Sequence, residues 1–271
     1  MNAFVSHFSF EFRTGVRNRN LLLMTYLFPL GVYLLLGLLM TSVNPAFQET
    51  LIPAMVIFAI LSSAILALPD PLVTARKAGI FRSYKINGVP AISILVIPAL
   101  SAFVHLVLLA LLITASAPML FAAPLPANWL GFGLVFILTA AACAGLGLLI
   151  GVVSSSTQMT VLWSQLIFLP SMILSGMTMP YGLLPDVLAK VALLVPATHA
   201  MNAFRGWAMN LPADFDPLWS VAILLASAVL AFGLSIALFR WDDSHDVKQR
   251  GRAPMALLAM LPYVAGMIFL P

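Results

Sequence analysis

Residues 175–207 read SGMTMPYGLLPDVLAKVALLVPATHAMNAFRGW, and the fold turns on how this stretch is taken. It is too apolar for a water-exposed loop, yet Pro180, Pro185 and Pro196 interrupt any single helix across it. Pro180 ends the preceding apolar run, YGLL makes a turn, and Pro185-Asp186 opens the amphipathic piece DVLAKVALLV. That piece is roughly 15 Å long, half a hydrocarbon core. Pro196 breaks it, and ATHAMNAFRGW forms a second short helix. Segment 180–207 is therefore expected to be two re-entrant half-helices buried on protein, where irregular backbone is tolerated at membrane depth. Arg205 and Trp207 would sit at the interface.

Outward from this segment the chain is a membrane protein. Of 271 residues, 62% are hydrophobic and 8% charged, against roughly a quarter charged in soluble domains. Between Lys85 and Asp186 there is no Asp, Glu, Lys or Arg. Six apolar runs reach the roughly 20 residues a crossing helix needs: 21–40, 51–69, 91–113, 129–152, 160–179 and 217–239. The first is too long for a signal-peptide core and lacks a cleavage site, so it is retained. A further run, 254–270, follows the polar linker that begins at 241 and carries Pro262. Two readings of it stay open: a seventh C-terminal span, or a tail lying at the interface.

Charge sets the orientation. Arg13, Arg17 and Arg19 precede span one, Arg76, Lys77, Arg82 and Lys85 follow span two, and Arg240, Lys248, Arg250 and Arg252 follow span six. Eleven of the thirteen basic residues thus share one side of six alternating spans, leaving only Lys190 and Arg205 opposite. By the positive-inside rule the N-terminus is cytoplasmic and segment 180–207 faces outward.

Inside the spans there is little chemistry. Only His105 breaks the absence of Asp, Glu, Lys, Arg and His, so no proton relay or metal ligand set is present. His105 is expected to be hydrogen-bonded within the bundle. The single Cys143 excludes an intrachain disulfide. No Gly-Lys pair occurs, so a phosphate-binding loop is absent. The chain has no catalytic residues and is not an enzyme; any work it performs draws energy from another subunit. Gly147 and Gly151 in span four form a small-xxx-small pair suited to close helix packing.

Two flanking elements carry the remaining pattern. PDPLVTARKAGIFRSYKINGVP has Asp70-Pro71 as a helix start and Asn87-Gly88 with Pro90 as a stop. The interval is expected to be a basic helix, broken at Gly79, in which Arg76, Lys77, Arg82 and Lys85 alternate with Ile80, Phe81 and Tyr84. It would lie on anionic lipid or insert its apolar residues into a partner's cleft. At the N-terminus Phe4, Phe8 and Phe12 recur every four residues beside Val5, giving an interfacial amphipathic helix over 3–19.

These parts resemble the type 2, exporter-class ATP-binding-cassette permeases over residues 1–240. The most specific likeness is the outward segment with Ser175-Gly176, Pro180, Pro185, Pro196 and Arg205. Ile80 stands where many members have threonine, and 254–270 is an addition to the six-span pattern. The resemblance implies an all-α polytopic fold, a dimer of permease subunits and two cytoplasmic ATPase chains that hold ATP and Mg, with no cofactor in this chain. It also implies residence in a bacterial cytoplasmic (inner) membrane. Arg76, Lys77, Gly79, Ile80, Phe81, Arg82, Tyr84 and Lys85 would couple to the ATPase. A translocation path would run along spans two and five, past Ser62, Ser63, Ser164, Gln165, Phe168, Ser171 and Ser175. Gly176, Met177, Met179, Pro180, Pro185, Pro196 and Arg205 would form its outer gate.

The implied function is an ATP-driven exporter subunit for an amphipathic or hydrophobic substrate such as a drug, lipid or glycolipid. A polysaccharide-exporting permease and a non-transporting structural or regulatory membrane subunit are the alternatives. The empty spans disfavour an ion-coupled carrier. Membrane lipid is an expected partner and nucleic acid is not.

Overall fold

In the computed structural model of the chain, Phe12 and residues 22–241 and 253–270 are described. The expected interfacial helix over 3–19 therefore lies, Phe12 apart, outside the described residues. Among the described residues, six helices are long and apolar enough to cross a membrane. They are span one (Leu23–Val43), span two (Phe47–Lys77), span three (Ala91–Phe121), span four (Trp129–Val153), span five (Thr157–Leu174) and span six (Pro217–Ala237). Every regular element among the described residues is helical.

Span two forms the axis. From Leu51 to Leu61 every residue is buried, and its apolar side chains join the main core cluster on all sides. Such an all-round apolar helix has no polar face to present and so takes the centre of the bundle. Span four packs beside it and span six packs beside span four. Spans one and five are peripheral, with large apolar side chains such as Leu34, Leu38, Leu162 and Leu166 exposed.

Close approach depends on small residues. A Cβ on Gly147 would stand 1.9 Å from the carbonyl oxygen of Ala64, so span four lies directly on the backbone of span two. There span two widens into a π-helical turn over Ser62–Ala67. Ser62 Oγ donates to the Met24 carbonyl, in a second π-helical turn at the start of span one. Spans one and three are joined by Tyr33 to Ser116 (2.8 Å) and by Tyr26 to His105 Nδ1 (2.7 Å). Phe12 stacks on His105 at 4.6 Å between ring centroids. His105 is thus hydrogen-bonded inside the bundle, as its surroundings in the sequence suggest.

Two boundaries differ from the sequence expectation. Span two does not stop at 69: its helix continues through Lys77, and Asp70 caps nothing because Leu68 before it is already helical. Thirty-one residues make about 46 Å, so the last turns stand beyond a hydrocarbon core of about 30 Å. Span five, expected to reach 179, ends at Leu174 with Ser175 as its cap. Gly176 follows at φ +86°, the left-handed conformation in which glycine commonly terminates helices.

After span five a short turn (Tyr181–Leu183) leads to a first half-helix, Asp186–Ala192, and a second, Pro196–Ala208. The two meet at 92°. Beyond span six, Ala253–Met260 form a 3₁₀ helix that continues into an α-helix, Leu261–Phe269, packed along span six.

Candidate functional site

At the basic end of the bundle, helix geometry separates anchors from exposed groups. Arg76, in the last turn of span two's extension, is only 2% exposed. Its Nη1 donates to the carbonyls of Val152 (2.8 Å) and Gly151 (3.3 Å), and Nη2 to that of Ser154. These are the unsatisfied carbonyls at the C-terminus of span four, where a cation also complements the helix dipole. Gly79 at φ +73° then turns the chain into a seven-residue helix, Ile80–Ile86. Phe81 is buried in a satellite core with Leu72, Leu95 and Val152, its ring 5.5 Å from that of Phe239.

Arg76 and Phe81 therefore do not belong to an exposed docking face. One clamps span two to span four and the other seats the short helix, because both point back toward the bundle. What remains outside is Lys77, Gly79, Ile80, Arg82 and Lys85, with Tyr84 half-buried. The basic helix expected from residue 70 onward breaks at Gly79 as its sequence suggests, but its first part is the end of span two and not a separate capped helix.

Ser164, Phe168, Ser171 and Ser175 share one face of span five, and all four are buried. The face turns inward: Phe168 packs on Phe58 of span two (5.7 Å) and Phe28 of span one (6.5 Å). Ser62 and Ser63 are buried as well, and Gln165 is half-buried at the edge. The hydroxyls of Ser164, Ser171 and Ser175 have no hydrogen-bond partner among the described residues. The expected stripe thus packs against spans one and two of the same chain. The open side of span five is apolar, with Leu162, Leu166, Leu169 and Ile173 exposed.

In the segment after span five, Pro180 and Pro185 are exposed, while Pro196 opens the second half-helix and is buried. Every residue from Pro196 to Ala203 is buried, and alanines at 197, 200 and 203 permit that fit. Met177 is buried with this helix, whereas Met179 is exposed. Asn202, which sequence reading overlooked, fixes the segment. Its Nδ2 donates to the Phe215 carbonyl (2.9 Å) and to Ser220 Oγ (3.0 Å). Its Oδ1 accepts from the backbone N–H groups of Asp214 (2.8 Å) and Phe215 (3.2 Å). The amide's capacity is well used, and a lone Asn in an apolar helix was the available signal. Arg205 pairs with Asp214 at 3.0 Å. Burial nevertheless raises the Asp214 carboxyl above its ordinary value, with Arg205 pulling against it.

Two cavities of about 490 and 510 Å3 flank span four. The smaller is lined by Asn128, Gly131, Trp207 and Asn210, the larger by Phe103, Thr114, Trp129 and Phe136. Neither touches the serine face of span five.

The geometry defines a polytopic helical membrane protein with an anchored basic element at one end and paired half-helices at the other. A family model described as ABC-2 type transporter matches residues 2–209, and the chain belongs to that family. It is an integral membrane protein and a permease component of an ABC transporter. The match takes in both half-helices and stops short of span six and the C-terminal helix. No curated protein and no solved structure matches the chain.

Proposed function

We propose that the chain is the membrane-spanning subunit of an ATP-driven exporter, oriented with its basic end in the cytoplasm of a bacterial cell. Its cargo is an amphipathic or hydrophobic molecule, of the drug, lipid or glycolipid class. Separate ATPase subunits, two per complex and carrying ATP and Mg, supply the energy.

The observation that carries this reading is the exposed ridge of Lys77, Ile80, Arg82 and Lys85 on an element fastened to the bundle by Arg76 and Phe81. A force applied to that ridge passes to spans two and four without being lost in a loose linker. The apolar open side of span five supports a second permease subunit there, with the path between the two copies and membrane lipid around them. The exposed turn that carries Met179 and Pro180 would stand at its outer mouth.

The complex purified in detergent should contain an ATPase chain, and Arg82→Ala with Tyr84→Ala should collapse its ATP turnover while leaving the permease folded. Purification of the permease alone, with no export defect in cells lacking it, would overturn the reading. A disulfide crosslink between copies at Met179→Cys should block export; buried Met177 is unsuited to that test.

A further inference from the structure

We propose that residues 253–270 cross the membrane as a seventh span and act as a strap that pins the second half-helix to span six.

Three observations carry it. The first is register. Tyr263 donates to Ser227 Oγ at 2.7 Å, and a Cβ on Gly266 would stand 2.9 Å from Ile223 Cδ1. Advancing three residues along the C-terminal segment retreats four along span six, so the two run antiparallel. By the same register, Ala253 lies about level with the last turn of span six. The second is length. Eight 3₁₀ residues at ~2.0 Å each and nine α-helical residues at ~1.5 Å each make about 30 Å, the thickness of a hydrocarbon core. The same seventeen residues as α-helix alone would reach only about 25 Å.

The third is the character of the two faces. Ala259, Tyr263, Gly266 and Leu270 are buried, at spacings that make one helical stripe along the segment. The opposite face carries Met255, Leu257, Leu258, Leu261, Ile268 and Phe269, all exposed. Residues 254–270 contain no charged side chain. A helix lying in the interface needs a polar face toward water, and this one has none.

The strap follows from what the stripe touches. His199, in the second half-helix, has its ring 5.7 Å from that of Tyr263, and its Cε1 would be 3.3 Å from a Cβ on Gly266. A side chain at 266 would therefore push the half-helix away. His199 Nε2 carries the proton, since it donates to the Leu193 carbonyl at 2.9 Å and a carbonyl can only accept. Asn202 fixes the same half-helix to the start of span six. The first half-helix is more open: Val187, Leu188 and Val191 are exposed, its Ala192 packs with Leu174 of span five and Leu184 after the turn, and its Ala189 carbonyl accepts from Tyr181 Oη at 2.8 Å. The two halves meet at Leu193–Val195, where Thr198 Oγ1 of the second also donates to the Ala192 carbonyl of the first at 2.7 Å.

The test uses the full chain in intact and permeabilised cells, in a Cys143→Ala background. Ser244→Cys and Pro271→Cys are probed with a membrane-impermeant maleimide. Labelling from opposite sides is expected, and labelling of both from one side overturns the crossing. For the strap, Ala200→Cys should react with N-ethylmaleimide at least threefold faster when Gly266→Leu is added, and measurably faster with the milder Tyr263→Phe. Val187→Cys should be unaffected. Unchanged reactivity at Ala200→Cys in both variants overturns the strap. Neither readout requires transport, so failure of the exporter reading would leave both intact.

Discussion

Substituting Gly147 by alanine probes the contact on which the bundle is built. The added methyl would meet the carbonyl oxygen of Ala64 at 1.9 Å and its carbon at 3.0 Å. Both atoms are backbone, so no rotamer change relieves the clash, and the gap must open by about 1.5 Å to reach ordinary contact at 3.4 Å. A radial gap of about 0.5–1 Å already forfeits a quarter to a half of each dispersion contact, and overpacking costs about 1–3 kcal/mol or more. Gly147→Ala should therefore cost about 3 kcal/mol. At about 2–4 °C per kcal/mol for a chain of this size class, the melting temperature falls by about 6–12 °C. Gly133 lies in the same helix with nothing within 4 Å of its virtual Cβ. Gly133→Ala should raise stability by about 0.8–1 kcal/mol through helix propensity. Scanning fluorimetry of the two variants in one detergent gives opposite signs if spans two and four meet as described. Equal melting temperatures for Gly147→Ala and the wild type would refute that contact.

Other outcomes follow from single side chains. Arg76→Ala removes the donors to three carbonyls, and with each charged hydrogen bond contributing about 1.5–3 kcal/mol, a loss of about 3 kcal/mol or more is expected in thermal unfolding. Arg76→Lys should fall between, because an ammonium cannot reach all three carbonyls. Ser171→Ala removes an unpartnered buried hydroxyl, whose burial costs about 1–3 kcal/mol, so stability should hold or rise while export continues. A loss of export at unchanged stability would restore the hydroxyl face to the path. Asp214 has a folded pKa raised above its ordinary 3.8, by burial first. Its contribution is complete below that value and lost as pH rises through the folded one. The stability of the wild type minus that of Asp214→Asn should fall as pH rises above 3.8; a rise would mean that the Arg205 pairing outweighs burial.

How much of this was legible in the sequence depends on which physics wrote it. The spans could be read because a bilayer demands about 20 apolar residues per crossing, and the half-helices because Pro185 and Pro196 are local signals. Helix ends were less visible. Asp70-Pro71 has the chemistry of a helix start, but span two was already helical and simply continued. Gly176, not Pro180, ended span five. Periodicity placed Ser164, Phe168 and Ser171 on one face, but with lipid as solvent it cannot say which way that face turns. Arg76 looked like its neighbours Lys77 and Arg82. Only the fold brings it to carbonyls 75 to 78 residues further along the chain.

That separation gives the clamp a history as well as a place. During synthesis Arg76 emerges long before Ser154 exists, and at about 5–20 residues per second the interval is roughly 4–15 s. Until span four arrives, the guanidinium has no carbonyl ladder to close on and must stay in water or among headgroups. Span two's extension can dock only when the fourth span is in place, which makes the Arg76 contact an assembly checkpoint. Ribosome-stalled chains ending near residue 140 should leave Arg76 open to trypsin, and chains released beyond residue 160 should protect it, because only the clamp buries it.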